Sequence, residues 1–514
     1  MKRDGACTSI WQTAEVEAPV PPVTINHDII YDVIIVGAGI TGVTTALLLQ
    51  QSGKNCLLVE AENAGFGTTG GTTAHLNTFY DTSYYQIIND FGEENAKLVA
   101  QGAKAAIGLI KNNIEANKID CNFEEKDGWL FALNEKQGTE LNDIVEAAHK
   151  VEVAMEFTGQ NPFPIPYFKA VHIPGQAQFN PIQYIYGLLK AFQAAGGILI
   201  ENCRVTKIEE GAVLNVETNR GNFRAGKAVY ATHIPPGVNL LHFRCAPYRS
   251  YVIGIKLKND SSYPHGLGYD MDDPYHYYRT EVVNGQKYLI AGGEDHKTGH
   301  EENTTACFDR LTQYVSEHFD VAEICFKWSS QYYEPTDGLP YIGNLPGHGD
   351  NVFVATGFSG NGMIYGSLSA LVLSNIIING DSAYKKLFDP KRVKPIAGFS
   401  NFLKEGADVV KVFVSGLFAG DKIKELGSLK NGEAKLLKQD GHTMGVYRDE
   451  QGEIFAVNSA CPHIKCTVGW NNAEKSWDCP CHGSRFSYDG KMLTAPAVSD
   501  LKAIDITAEK MNEL

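Results

Sequence analysis

A glycine-rich turn near the N-terminus constrains the fold more than any other feature of the chain. The run Gly37-Ala38-Gly39-Ile40-Thr41-Gly42 follows an apolar segment, Tyr31 to Val36, and opens an apolar helical pattern. A second apolar segment begins at Cys56 and ends at Glu60. In a dinucleotide fold the first glycine allows the tight turn, the second admits a pyrophosphate, and the third lets helix and strand pack closely. The acidic residue at the end of the second segment, here Glu60, can accept hydrogen bonds from ribose hydroxyls. The pattern therefore predicts a βαβ unit that binds a dinucleotide, and the alternative is a structural glycine turn.

Composition sets the size class and excludes several kinds of protein. The chain has 514 residues, 43% of them hydrophobic and 20% charged, which is typical of a globular protein of about three domains and excludes disordered and coiled-coil chains. The net charge of −15 argues against nucleic acid or an anionic membrane as a partner. No apolar run follows Lys2 and Arg3, and stretches such as 34–36 and 412–414 are too short to span a membrane. We expect a cytoplasmic protein with no transmembrane segment.

The cysteines are unevenly distributed. Seven of the eleven are scattered singly, whereas Cys461, Cys466, Cys479 and Cys481 fall within 21 residues. Two histidines join them, in the patterns Cys461-Pro462-His463 and Cys479-Pro480-Cys481-His482. Scattered cysteines are typical of reduced thiols, and a dense Cys/His group in such a protein indicates a metal site. Zinc held by two cysteines and two histidines is one possibility.

Four ordered motifs together resemble the D-amino-acid-oxidase-like FAD oxidoreductases, which include glycine oxidase, monomeric sarcosine oxidase and gamma-glutamylputrescine oxidase. The motifs are Gly37 to Gly42 with Glu60, Gly67 to His75, Asp337 to Gly343 and Gly357 to Met363. A single fingerprint argues against separate sites for FAD and NAD. The resemblance implies FAD and an antiparallel-sheet substrate domain within residues 28–380. It places the following residues at the cofactor: Gly37, Gly39, Ile40, Thr41, Gly42, Glu60, Ala61, Thr68, Thr69, Thr73, Ala74, Val205, Gly357, Gly360, Asn361, Gly362 and Met363.

Departures from the family bear on the chemistry. No cysteine lies between Cys325 and Asp337, where sarcosine oxidases tether their flavin, so we expect noncovalent FAD. Glu334 and Ile364 stand near the positions of the basic residues with which glycine oxidase and sarcosine oxidase hold a substrate carboxylate. The resemblance therefore favours an amine without an α-carboxylate over an amino acid. Glu334 is either a site residue or a solvent-exposed acid.

Three residues are candidate catalytic residues. His75 lies in the segment that the resemblance places beside the flavin, and Tyr278 and Arg279 lie on a predicted strand of the substrate domain. The alternative for each is a packed structural side chain.

The C-terminal Cys/His pattern is similar to the Rieske family, in which one iron of a [2Fe–2S] cluster takes two cysteines and the other two histidines. The resemblance makes Cys461, His463, Cys479 and His482 the ligands and pairs Cys466 with Cys481 in a disulfide. Ser484 matches a hydroxyl that bonds a cluster sulfide, but Phe486 replaces the accompanying tyrosine and Ala495 a usual glycine. Losing one such bond lowers the potential, so we expect an intermediate value within the range of about −150 to +300 mV.

These observations predict an α/β protein: a Rossmann-like FAD-binding domain interleaved with an antiparallel-sheet substrate domain, plus a C-terminal all-β Rieske domain. We expect an N-terminal arm (1–27), the flavin part (28–380), a linker (381–427) and the Rieske domain (428–514). The expected function is a dehydrogenase that oxidises a C–N bond of an amine or amino acid and passes electrons through the cluster to a one-electron acceptor protein or a quinone. The alternative is an electron-transfer or redox-sensor protein, or a reductase partner of an oxygenase, without its own amine substrate. A substrate-sized cavity at the flavin would argue against the sensor.

Overall fold

The computed structural model describes residues 3–13, 25–393, 421–422, 427, 429–439 and 442–505. Within them the strands are β1 (Ile30–Val36), β2 (Cys56–Val59), β3 (His75–Leu76), β4 (Glu124–Ala132), β5 (Glu156–Thr158), β6 (Lys169–Gln178), β7 (Ile198–Ile200), β8 (Val205–Glu209), β9 (Leu214–Thr218), β10 (Gly221–Tyr230), β11 (Cys245–Leu257), β12 (Leu267–Asp270), β13 (Tyr277–Val283), β14 (Gln286–Lys297), β15 (Val321–Pro335), β16 (Tyr341–Asn344), β17 (Val352–Thr356), β18 (Asp421–Lys422), β19 (Ala434–Gln439), β20 (His442–Arg448), β21 (Ile454–Asn458), β22 (Gly469–Asn471), β23 (Ser476–Asp478), β24 (Arg485–Ser487) and β25 (Met492–Thr494). The α-helices are α1 (Ile40–Gln51), α2 (Tyr84–Phe91), α3 (Glu93–Asn117), α4 (Glu135–Lys150), α5 (Pro181–Ala194), α6 (Thr304–His318) and α7 (Gly362–Asn379).

The first sheet is the predicted nucleotide-binding sheet. Its main path has the order β16-β17-β10-β1-β2-β7, in which all strands but β16 run parallel. Strands β8 and β9 form a hairpin that joins the sheet where β9 pairs antiparallel with β10. Helix α1 follows β1 directly and is buried on nearly every face, as an apolar sequence without an amphipathic stripe requires. It packs against α5 and α7. The carboxyl ends of β1, β2 and β10 meet at one edge, so the glycine turn, Glu60 and Ala231 come together there.

The second sheet is largely antiparallel and follows the order β15-β11-β14-β13-β12-β4-β6-β3. Helix α6 covers one of its faces, with Phe308 and Leu311 packed into an apolar cluster. The hairpin between β13 and β14 turns at Asn284 and Gly285, whose φ angles are 51° and 76°. Such positive angles suit an Asn-Gly turn, which matches the twist of the two strands. The expected α/β architecture with an antiparallel substrate domain is confirmed.

The C-terminal domain consists of two four-stranded sheets, β18-β19-β20-β21 and β22-β23-β24-β25. Trp477, Phe486 and Val468 form its core together with the cysteines of the Cys/His cluster. This arrangement confirms the predicted all-β C-terminal domain.

Helix α7 is a long apolar element. Its 18 residues have a mean hydropathy of 1.4, enough by length and composition to cross a membrane, but 72% of them are buried inside the protein. It packs against α1 and α3, which is the environment of a core helix. The expectation that every apolar stretch falls short of a membrane span is therefore wrong for this segment.

Two boundary segments differ from the predicted arm and linker. In the N-terminal segment, Arg3, Asp4 and Trp11 are buried, so residues 3–13 are packed rather than extended away from the protein. At the other boundary, Phe388 is fully buried and Arg392 pairs with Asp337, so the flavin part continues beyond residue 380. The apolar stretch at 412–414 lies outside the described residues.

Candidate functional site

The glycine turn forms a cradle that side chains would fill. Gly37 has a φ of +105°, and a Cβ atom there would lie 2.6 Å from the carbonyl oxygen of Ala231. A Cβ on Gly42 would lie 1.8 Å from the carbonyl oxygen of Gly37. Only glycine permits this approach of helix to strand, and it leaves the N-terminus of α1 open to a phosphate. The cradle fits the pyrophosphate of a dinucleotide.

Most of the predicted cofactor residues line one cleft at this edge of the sheet. These are Gly37, Gly39, Ile40, Thr41, Glu60, Ala61, Thr68, Thr69, Val205, Gly362 and Met363. The Glu60 carboxylate accepts hydrogen bonds from the backbone N–H groups of Ala38 (2.7 Å) and Glu62 (3.0 Å). A carboxylate retains further acceptor sites, so Glu60 can also receive ribose hydroxyls.

A second cavity of about 310 Å³ continues from this cleft. Thr68, His233, Gln331, Gly362 and Met363 line both spaces. Three more predicted cofactor residues line only the second cavity, namely Thr73, Gly360 and Asn361. The volume is within the range of small-molecule sites. The shared residues lie where the two spaces meet, so a dinucleotide cofactor held in the cleft would border the cavity there.

His75 lines the second cavity, as predicted. Its Nδ1 lies 2.8 Å from the Tyr269 hydroxyl, and its Nε2 is buried without a partner among the described residues. Burial, together with the charge of Arg279, lowers the pKa of His75, so its ring is neutral at physiological pH.

The other two catalytic candidates do not line the cavity. Tyr278 is fully buried in the apolar cluster beneath α6, because alternation along β13 turns Tyr277 to the cavity and Tyr278 to the opposite face. The prediction for Tyr278 is therefore wrong. Arg279 donates to the carbonyl oxygens of Thr73 (2.7 Å) and Ala74 (3.2 Å), so it supports the cavity wall from behind.

Three predicted cofactor residues line neither space. Ala74 is buried with a φ of 56°, and Gly357 has a φ of +76° beside Pro335. Both shape the backbone next to the cavity. Gly42 lies under the cradle, in the packing role expected for the third glycine.

The four predicted metal ligands come together in the C-terminal domain. Cys461 and Cys479 are fully buried, and their side chains contact each other. The rings of His463 and His482 have centroids 5.0 Å apart. Each ligand loop is closed by a backbone hydrogen bond of 2.8 Å, from Cys461 to the carbonyl of Cys466 and from Cys479 to that of Ser484.

The donor set fits a [2Fe–2S] cluster with mixed ligands. Neither ring nitrogen of His463 or His482 has a hydrogen-bond partner within the described residues, although buried polar atoms normally have one. The sulfur atoms of Cys466, Cys479 and Cys481 also lie within 4.8 Å of one another. A disulfide joins Cys466 to Cys481, so neither is a thiolate ligand. Two cysteines and two histidines remain.

The cluster site lies against the flavin part of the molecule. The 3-10 turn Leu240–Phe243 brings the His242 ring to 4.7 Å from that of His463 and the Phe243 ring to 5.4 Å from that of His482. From strand β15, Gln331 donates to the carbonyl of Gly483 (2.8 Å) and Tyr333 to that of His482 (3.3 Å). His482 is only 1% exposed as a result.

The C-terminal domain also closes the dinucleotide cleft. Residues from β25 and the loop after it line the cleft, including Met492, Thr494 and Ala497. Ala497 also packs in the core that contains the cluster cysteines, so this loop borders both the cluster site and the cleft.

Buried ion pairs join the N-terminal segment to the C-terminal domain, and Arg3 also donates to the carbonyl oxygen of Ser329 in β15 (2.8 Å). Arg3 lies 2.9 Å from Glu474, and Arg485 lies 2.9 Å from Asp4 and 3.1 Å from Asp478. All these side chains are at most 4% exposed. Such pairs need close geometry to offset desolvation, so they hold the domains in one relative position.

Comparison with known families agrees with this geometry. The model of the family described as FAD dependent oxidoreductase matches residues 32–376, which is more than half of the chain. The chain belongs to this family. A second family model, that of the Rieske [2Fe-2S] domain, matches residues 421–505. The protein is therefore an FAD-dependent oxidoreductase that binds FAD in its first part and a [2Fe–2S] cluster in its C-terminal domain.

Individual relatives share one or both parts. The protein YhfW of Bacillus subtilis (strain 168), whose name describes a Rieske 2Fe-2S iron–sulfur protein, is 33% identical over 499 residues, covering 96% of this chain and 97% of YhfW. Gamma-glutamylputrescine oxidoreductase of Escherichia coli (strain K12) is 24% identical over 402 residues, covering 73% of this chain and 90% of that protein. The structure of glycine oxidase from Geobacillus kaustophilus matches with a TM-score of 0.59 and 18% identity, covering 71% of this chain and 99% of that chain. That likeness shows the fold.

Sequence reasoning missed several residues at the site. Tyr277 and Asp295 line the substrate cavity, and Gln331 and Tyr333 connect its wall to the cluster loops. Tyr277 and Tyr278 are adjacent in the sequence, so strand alternation alone did not show which of them faces the cavity. Nothing in the sequence near His242 indicates that it lies beside the cluster ligands.

Proposed function

We propose that the protein oxidises a C–N bond of an amine or amino acid and passes the electrons through the Rieske cluster to a one-electron acceptor protein or a quinone. Bound FAD supplies two-electron oxidation, and the cluster supplies one-electron transfer. The chain's own residues position the two groups, enclose the substrate and connect the two sites.

The observation that carries the proposal is the position of Gln331. Gln331 lines both the dinucleotide cleft and the substrate cavity, and its backbone carbonyl accepts a hydrogen bond from Thr68, which also lines both (2.9 Å). Its side chain donates a 2.8 Å hydrogen bond to the carbonyl of Gly483, the residue after the ligand His482. One residue thus touches both the flavin site and a cluster loop. This proximity favours electron transfer within the molecule.

The second cavity favours an enzyme over an electron-transfer or sensor protein. A protein without its own substrate has no need of a space of about 310 Å³ beside the flavin site. In this cavity His75 is neutral, since burial lowers its pKa. It can therefore accept a hydrogen bond from an amine without adding a competing positive charge.

Removal of one cluster ligand tests the electron path. We expect His482→Ala to lose the cluster but keep FAD, because the glycine cradle lies in another domain. Under anaerobic conditions an amine substrate should bleach its flavin at near the parental rate, while reduction of a one-electron acceptor protein collapses. His265→Ala, at an exposed position, is the matched control. Unchanged transfer to the acceptor in a cluster-free His482→Ala protein would rule out the cluster as the conduit.

We also propose a cytoplasmic location. The seven scattered cysteines are all free thiols in the structure, as is typical of a reducing compartment. Cell fractionation tests this, and recovery from an extracytoplasmic fraction would contradict it.

A further inference from the structure

The substrate cavity is acidic and lacks a cationic wall. Asp81, Asp270 and Asp295 line it, and none of the described residues that line it is lysine or arginine. Arg279 lies behind the wall, fully buried, and is paired with Glu281. A ligand in this cavity therefore meets carboxylates but no counter-ion for a carboxylate of its own.

Two of the three aspartates accept hydrogen bonds from other residues of the protein. Asp270 accepts from the Nδ1 atom of His276 at 2.9 Å and from the hydroxyl of Tyr314 at 3.0 Å. Asp81 accepts from the backbone N–H of Gly360 at 2.6 Å. These bonds give both carboxylates a structural role.

Asp295 differs from these two aspartates because one of its two carboxylate oxygens forms no hydrogen bond within the described residues. Its Oδ2 accepts from the Tyr332 hydroxyl at 2.8 Å, whereas its Oδ1 is shielded from solvent and has no hydrogen-bond partner within the described residues. Burial raises the pKa of Asp295 to about 7; the Ser250 and Tyr332 hydroxyls lower it in part, and the nearby charge of Asp81 raises it further. Ionisation of Asp295 is thus costly without a cation beside it, and a bound cation removes that cost.

Aromatic rings complete the surroundings of Asp295. Tyr275, Tyr277 and Tyr332 all line the same cavity. Aromatic faces attract cations, most strongly where water is excluded. The unpartnered carboxylate oxygen and the aromatic lining are independent features, and both favour a positively charged ligand.

We propose that Asp295 is the residue that binds the ammonium group of the substrate, and that the substrate is a cationic amine without a carboxylate. This inference rests on the proposed oxidation of a C–N bond and narrows its substrate class. A carboxylate in the cavity would face Asp81 and Asp295 without a counter-ion, and like charges in a poorly hydrated site repel strongly. Asp295 therefore both selects the amine and excludes the amino acid.

The test measures binding to the FAD-loaded protein in the absence of oxygen. The probes are 1-butylamine, 4-aminobutanoate and butan-1-ol, which share a carbon chain and differ in charge. Dissociation constants are read from the change in the flavin absorption band and by calorimetry. We expect 1-butylamine to bind at least about tenfold more tightly than either other probe, the low end of the effect of a hydrogen bond to a charged group.

The variant Asp295→Asn keeps the shape of the side chain and an acceptor for the Tyr332 hydroxyl while it removes the charge. We expect it to weaken 1-butylamine binding by about tenfold to a hundredfold and to leave butan-1-ol binding unchanged. Asp309→Asn, at an exposed position of α6, makes the same charge change and should match the parent. If Asp295→Asn does not fold, the order of the three dissociation constants measured with the parent protein still tests the inference.

Failure of this inference can be told apart from failure of the proposed function. Tighter binding of 4-aminobutanoate than of 1-butylamine, or equal binding of 1-butylamine by parent and Asp295→Asn, overturns the role of Asp295 even if amino acids bleach the flavin. Conversely, charge-selective binding that depends on Asp295 supports the inference even if no amine in a wider screen reduces the flavin, a result that would refute only the oxidation.

Discussion

Replacement of Glu474 by glutamine tests whether the buried ion pairs hold the two domains together. Glu474 accepts from Arg3 (2.9 Å), from the backbone N–H and hydroxyl of Ser329 (2.8 and 2.7 Å), and from the backbone N–H of Cys7 (3.0 Å). It thus joins the Rieske domain to the N-terminal segment and to strand β15. Its side chain is 0% exposed, so solvent does not screen these contacts.

The pKa of Glu474 gives the size of its contribution to the stability of the folded protein. Burial by itself raises the pKa, but the charges of Arg3, Arg485 and Arg249 outweigh burial and hold it at about 2, against an ordinary value of 4.5. At about 1.36 kcal/mol per pH unit, this difference stabilises the folded protein by about 3 kcal/mol at neutral pH. Because the pKa is lowered on folding, the contribution is fully present above pH 4.5 and is lost as the pH falls toward 2.

We therefore expect Glu474→Gln to reduce the free energy of unfolding at pH 7 by about 3 kcal/mol, within the range for a buried pair that loses one partner. Urea unfolding is followed by flavin fluorescence and by the visible circular dichroism of the cluster. The difference in the free energy of unfolding between parent and variant should decrease to about 1 kcal/mol near pH 3. Glu453→Gln, an exposed position in the same domain, is the control. If Glu474→Gln unfolds at the same urea concentration as this control at pH 7, the ion pairs do not stabilise the domain interface.

Three further predictions concern the bound groups. FAD should be noncovalent, since no cysteine lies between Cys325 and Asp337; acid precipitation should leave a yellow supernatant, and a coloured pellet would contradict this. The reduced protein should give an electron paramagnetic resonance signal with an average g value below that of the free electron, as the Rieske resemblance implies, whereas stoichiometric zinc without iron would exclude the cluster. Cys466 and Cys481 should resist alkylation in the folded protein until a reductant is added, because the bond is buried between the cluster loops; ready labelling of both without reductant would show that the bond is absent.

Local features of the sequence determined the parts of the fold that depend on short-range geometry. Gly37 has a positive φ, and a Cβ on Gly42 would clash with the carbonyl of Gly37, so this spacing of glycines between strand and helix allowed the βαβ unit to be predicted. The two Cys/His patterns carry their own ligand spacing, and the pair Asn284-Gly285 determines a turn by its positive φ angles. In each case a few neighbouring residues contain all the information needed.

Tertiary structure decided which side chains meet. Aromatic residues occupy both faces of β13, so the alternating pattern carried no signal that Tyr277, and not Tyr278, faces the cavity. Arg3 and Glu474 are separated by 471 positions, and their pairing buries a polar N-terminal segment that resembles a free arm in the sequence. Asp295 and Gln331 became site residues only when β14 and β15 were placed beside the cleft. Contacts between distant elements depend on sheet order, strand register and domain docking, and these emerge only when the whole chain packs together.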